Sequence, residues 1–289
     1  MYSQIASNKR NSLFLIIGFL AIVLGLDFIM AKALGQPDFF IPILIGATLY
    51  AGISYWFSSS IALTMAGAKE IAKKDHPELY RTVENLAIAA GLPTPKIYIV
   101  HDESLNAFAS GRDPQHAVVA VTTGLLAKLE PNELEGVLAH ELSHVGNYDI
   151  RFMSIVTALA AVVAVISDLL LRLSFWSRND RNSNPLFLAL GIAGAILAPL
   201  VAALIQFAVS RQREFLADAS GALLTRYPEG LASALHKISH DSRIEVANSA
   251  TAPLYIANPL KGRMLAGLFD THPPIEERIK RLRKMEDTH

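Results

Sequence analysis

The sequence predicts a mainly α-helical integral membrane protein, with four transmembrane helices and an α+β domain that holds a small antiparallel sheet. Three observations predict it. Hydrophobic residues make up 52% of the 289-residue chain and charged ones 18%, too apolar for an ordinary soluble protein. Four apolar stretches, roughly residues 13–34, 40–66, 152–173 and 186–210, reach the length of about 20 helical residues that crosses a bilayer. The polar segments between and after them mix helical spacing with β-branched runs.

These stretches divide the chain into residues 1–68, an N-terminal transmembrane hairpin; 69–151, the first part of the α+β domain; 152–210, a second transmembrane hairpin; and 211–289, the second part of that domain. Residues 35–38 are the turn of the first hairpin. Lys9 and Arg10 before an apolar run, with Ala31-Lys32-Ala33 after it, loosely resemble a cleaved signal. The run is too long for one, and a second span follows at once. The third and fourth spans carry Asp168 and Arg172, and Gly191, Gly194, Pro199 and Gln206, which suits packing against protein as well as lipid.

In the first polar segment Leu79, Val83, Leu86 and Ala87 give helical spacing over residues 77–90, and Gly91-Leu92-Pro93 ends the helix. Residues 96–100 and 116–121 are β-branched runs, with a short segment at 106–109 between them, and together they predict three short strands of an antiparallel sheet or meander. Helix returns at 123–129 and from Pro131, where a first-turn proline and Glu133 and Glu135 suit a positive helix end. The last segment reads as helices at 211–226, 228–240 and 274–285, with a poorly patterned linker at 241–270.

Zero net charge and the lack of a long Lys/Arg block argue against nucleic acid as a partner. Cysteine is absent, which leaves His, Asp and Glu as the strong zinc ligands. His140-Glu141-Leu142-Ser143-His144 is an H-E-x-x-H pattern, which on a helix aims two imidazoles, one turn apart, at a shared zinc. Glu141 then stands beside the metal as a general base for water, whose acidity zinc raises. A catalytic zinc takes three protein ligands and keeps one position open, so a third ligand is required. Glu214 and Asp218 lie one turn apart after the fourth stretch, Glu214 as the candidate ligand and Asp218 as the acceptor of a ligand histidine's distal N–H.

Taken together these motifs resemble the HtpX family of membrane zinc proteases, related to the CAAX prenyl proteases. The resemblance runs over nearly the whole chain: the paired N-terminal spans, Leu105-Asn106-Ala107-Phe108-Ala109-Ser110-Gly111, H-E-L-S-H with Asp149 five residues on, residues 210–218, and Thr271-His272-Pro273-Pro274 followed by Glu277-Arg278. It implies a zincin-like fold holding one Zn2+ per chain on His140, His144 and Glu214, with Glu141 as the base. It also implies that Asn106 and Ala107 belong to an edge strand that holds substrate backbone, that His272 steadies an oxyanion, and that Asp149 has a weaker supporting role. Membrane-protein or unfolded polypeptides are the implied substrates, and quality control under stress the implied setting.

His144 and Glu214 can share a metal only if an even number of spans separates them, and two fits. That places both termini and the catalytic segments on one face. This face carries Lys9, Arg10, Lys69, Lys73, Lys74, Arg151, Arg211 and Arg213, against mainly Arg178 and Arg181 opposite, so it is expected to be cytoplasmic, and the family resemblance implies an inner membrane. Counting helical rise from the span ends puts the zinc about 10 Å from the bilayer. An intramembrane protease is disfavoured by Glu133, Glu135, Asn147 and Asp149 around the motif. A non-catalytic zinc scaffold would need no Glu141. The sequence carries no signal of oligomeric state.

Overall fold

The computed structural model describes residues 40–177, 211–240 and 273–286, together with helical positions between residues 6 and 28 and residue 192. Half of the first expected span, nearly all of the fourth, the 241–270 linker and His272 lie outside the described residues. The chain forms two compact units. One comprises Met1–Ile5, Ser59–Arg151 and Val209–His289, the other Ala6–Ser58 and Phe152–Ala208.

In the second unit, the helix α1 (Phe40–Trp56) is apolar along its length. Ile41, Ile45, Leu49, Ile53 and Trp56 recur every three or four residues and are each more than half exposed, from 53% to 63%. An apolar stripe this bare has no stable place in water. The expected second span is interrupted at Phe57, after which α2 (Ser58–Met65) follows. The Ser58 hydroxyl donates to Ser154 Oγ at 3.0 Å, a polar link between apolar helices. Among the described residues, one helical stretch is long and apolar enough to cross a membrane, Asp149–Asp168, with a mean hydropathy of 2.2.

The first unit is built on a four-stranded sheet of β1 (Lys69–Glu70), β2 (Lys96–Val100), β3 (Ala107–Ser110) and β4 (Val118–Thr122), in the order β1-β2-β4-β3. This corrects the expectation of an antiparallel sheet, because β2 and β4 run parallel while β1 and β3 are antiparallel to their neighbours. The reason is the path of the chain. β3 takes the outer position, and β4, turning back from it, inserts beside β2 in β2's own direction. All five residues of β4 are buried, as a strand covered on both faces should be. Val119 and Val121 face the main core with Ile97 and Ala107. Val118 and Ala120 turn the other way and pack with Phe108 and Val100 on Ala62 and Leu63 of α2.

Around the sheet lie α3 (Pro77–Ala89), α4 (Thr123–Lys128), α5 (Pro131–Gly146), the start of α6 (Asp149–Ser177), α7 (Arg211–Thr225), α8 (Pro228–His240) and α9 (Ile275–Glu286). α5 is the central helix, burying Val137, Leu138, Leu142 and Val145. Pro131 opens it, and Glu133 accepts the backbone N–H of Glu130 at 2.8 Å, satisfying a donor that the helix itself cannot. The same buried carboxylate accepts from Ser233 Oγ at 2.6 Å and Lys237 Nζ at 2.7 Å, both on α8. Burial alone would raise its pKa, but Lys237, Ser233 and the Glu130 N–H together hold it below the ordinary value. Two glycines let the helices close on α5. A Cβ on Gly136 would stand 2.6 Å from the Leu231 nitrogen, and one on Gly221 of α7 would stand 3.0 Å from the His140 nitrogen.

Candidate metal centre

α5, α7 and the start of α6 set the site. His140, Glu141 and His144 lie on the face of α5 that meets α7, and the first two are buried. The rings of His140 and His144 meet edge to face, with their Nε2 atoms 3.2 Å apart. α7 delivers Glu214, whose Oε1 is 3.5 Å from His144 Nε2 and whose Oε2 is 3.8 Å from His140 Nε2. One ligand atom from each of the three lies within 4.8 Å of the others, so the group could hold a metal ion. Behind the histidines, Asp218 Oδ1 stands 3.0 Å from His140 Nδ1, and Asp149 Oδ2 is 2.9 Å from His144 Nδ1. The spacing of the motifs left open which histidine Asp218 faces; it is His140, and Asp149 serves His144.

Two further groups enter from elements outside the motif. The edge strand β3 directs the backbone N–H of Ala109 to Glu141 Oε2, at 2.7 Å. In an antiparallel pair alternate residues turn their backbone groups away from the partner, so Ala107 shares the outward edge with Ala109. Asn106 lies one residue before β3, buried, its N–H donating to Thr122 Oγ1 at 3.1 Å. α9 contributes Arg278, whose Nε and Nη2 donate to the two oxygens of Asp218 at 2.8 and 2.7 Å.

Residues 73–286 match Peptidase family M48. The chain belongs to peptidase family M48. This M48 peptidase is 49% identical over 287 residues to a "Protease HtpX homolog" of Tropheryma whipplei strain TW08/27, covering 99% of this chain and 98% of that one. It is 48% identical to the one from Dictyoglomus turgidum, covering 98% and 94%, and 45% identical to one from Listeria monocytogenes serotype 4a, covering 99% and 100%. Among solved structures it resembles the crystal structure of S. mikatae Ste24p, with a TM-score of 0.54 and 20% identity over 98% of this chain and 67% of that one, a likeness of fold. The chain is a metalloprotease, a hydrolase of the HtpX kind.

The electrostatics of this M48 peptidase suit a cation. Among the described residues, four carboxylates, Glu141, Glu214, Asp149 and Asp218, stand against two guanidinium groups, Arg278 and Arg213, the latter 4.0 Å from Asp149. Burial lowers His140's pKa despite Asp218, so that ring is neutral. Burial also works against a charged His144, yet Asp149, Glu214 and Glu141 outweigh it and lift its pKa to about 9. A surround that draws a proton so strongly draws a metal ion by the same force. Glu141 is raised to about 7, first by burial, with Glu214 adding to it and His144 and the Ala109 N–H opposing it. A carboxyl tuned to that range exchanges protons readily at neutral pH.

Sequence reasoning assigned no role to Arg278, although a signal was present. Ile275, Arg278 and Leu282 share one helical stripe whose apolar members are buried, and an arginine on such a stripe requires an anion. No local pattern marked Ala109 N–H or Gly221.

Proposed function

We propose that this chain is a zinc-dependent membrane endopeptidase that hydrolyses peptide bonds of membrane or misfolded proteins at the cytoplasmic side of the inner membrane, in protein quality control. The observation that carries the reading is the convergence of His140, His144 and Glu214, with Glu141 beside them and a strand edge within reach. Two imidazoles and a carboxylate are a zinc donor set, and their outer partners Asp218 and Asp149 are of the kind that fixes ligand histidines. Zinc, when bound, supplies a Lewis acid that polarises the scissile carbonyl and acidifies water.

The residues divide the remaining work. Glu141 takes the proton from the attacking water and returns it to the leaving amine. The outward edge of β3, beginning at Ala107 with Asn106 just before it and bonded inward to Thr122, holds the substrate backbone as an added strand. His272 steadies the developing oxyanion. Bilayer residence is supported by the bare apolar stripe of α1 and the hydropathy of Asp149–Asp168, and the cytoplasmic side by the basic residues that flank the spans.

The test is cleavage of a casein-like unfolded substrate in detergent with zinc, comparing the wild type with Glu141→Gln and Glu214→Ala. Loss of cleavage in both variants, with zinc kept by Glu141→Gln and lost by Glu214→Ala, is the expected result. A wild type that binds zinc and never cuts would overturn the reading in favour of a client-binding scaffold.

A further inference from the structure

Among the described residues, Arg278 is the largest side chain lying wholly out of solvent. A guanidinium in that position needs anionic partners, and its paired bonds to Asp218 would suffice for a clamp between α9 and α7. The group does more than clamp. Its Nη1 lies 3.6 Å from Glu214 Oε2, and its Nη2 lies 3.4 Å from His140 Nε2. One side chain thus touches two groups of the candidate ligand set and the carboxylate behind one of them.

The chemistry of these contacts is selective. Arginine offers only donors, so Nη2 facing Nε2 suits an imidazole that keeps a lone pair there. Asp218 at Nδ1 suits the same tautomer, with its proton on the far nitrogen. The two contacts act on opposite sides of the His140 ring, and Arg278 stands behind both. It also bears on the Glu214 oxygen nearer His140, leaving Oε1 as the nearer oxygen to His144.

We infer that Arg278 is a positioning residue of the metal centre: through Asp218 it fixes the tautomer and orientation of His140, and directly it steadies Glu214. The inference rests on the zinc-peptidase reading. The paired geometry requires a guanidinium, because a lysine ammonium is a point donor that cannot bridge both oxygens of Asp218 and also reach Glu214 and His140. It also makes docking of α9 a condition for a well-formed metal centre, since no other described element supplies this group.

The experiment uses the full chain in detergent, as wild type, Arg278→Lys, Arg278→Met, Asp218→Asn and the double variant Arg278→Met/Asp218→Asn. Zinc affinity is measured by competition with a chelating dye, ligand geometry by the visible spectrum of the cobalt(II) form, and fold by the melting temperature of the metal-free chain. Arg278→Lys and Asp218→Asn should each lose zinc affinity by about 10- to 100-fold and shift the cobalt(II) bands. The double variant should lose less than the two single losses combined, because the residues act through one another. Wild-type affinity and an unchanged cobalt spectrum in Arg278→Lys, with only the melting temperature lowered, would overturn the inference and leave a structural clamp. A wild type that takes up neither zinc nor cobalt would overturn the proposed function and this inference with it. Should Arg278→Met fail to fold, Arg278→Lys and Asp218→Asn carry the test.

Discussion

As the proposed metal ligand, His144 would bind its ion in competition with a proton. Its pKa of about 9 means that at neutral pH the metal-free ring is charged, and a cation must displace that proton to bind. Zinc affinity should therefore rise about tenfold per pH unit up to about 9 and then level off, with one proton released per ion at neutral pH, as titration calorimetry in buffers of different ionisation enthalpy would measure. For folding of the metal-free chain the sign is the reverse. A raised pKa contributes stability that is fully present below the unfolded value of 6.5 and lost as pH climbs through about 9. Asp149→Asn removes the largest of the influences that lift this pKa and leaves every candidate ligand in place. It should weaken zinc binding by about 10- to 100-fold and move the affinity profile to lower pH. The residues that carry this chemistry were legible where local spacing fixes geometry, as it does for His140 and His144, one helical turn apart. The pairing of Asp149 with His144 and Asp218 with His140 was not, because it depends on how α6 and α7 are laid against α5.

At the scale of elements, the contact of α7 with α5 governs the site as much as its side chains do. A Cβ at Gly221 would meet backbone atoms of Ala139 and His140 at 3.0 to 3.2 Å, and backbone cannot swing aside. Gly221→Ala should push α7 outward, lower stability by about 1–3 kcal/mol and weaken zinc binding with no ligand altered. Equilibrium dialysis beside a thermal melt would check it, and unchanged zinc affinity would refute it. Glu133 ties the N-terminus of α5 to α8 in the same manner. Glu133→Gln should cost about 1–3 kcal/mol at neutral pH by weakening a buried charge-assisted network. Because the native pKa lies below the unfolded value of 4.5, that stabilisation is present above 4.5 and is lost as pH falls through the native pKa. The melting difference between wild type and variant should accordingly close in acid. The sheet illustrates what local sequence withholds. The β-branched runs at β2 and β4 marked strands, but their parallel pairing follows from β3 taking the outer edge, and β1 is two residues long, too short for any alternation to register.

For the molecule as a whole, the bare stripe of α1 is the feature that a bilayer explains. Leu49→Arg, near the middle of that helix, should cost about 2.5–3.5 kcal/mol of insertion free energy and shift the chain toward the carbonate-soluble fraction. The unit that carries the candidate metal ligands is assembled from stretches of chain on either side of another unit. His140 and His144 belong to the earlier stretch, Glu214 and Arg278 to the later one. A ribosome delivers these parts in order, so for as long as residues 152–208 are being made the two histidines exist without their carboxylate partner. On the proposed ligand set, cutting cannot begin until the chain has been made through residue 214. If His140, His144 and Glu214 hold the metal as proposed, the order of the chain would act as a timer, delaying hydrolysis until the later stretch has been made.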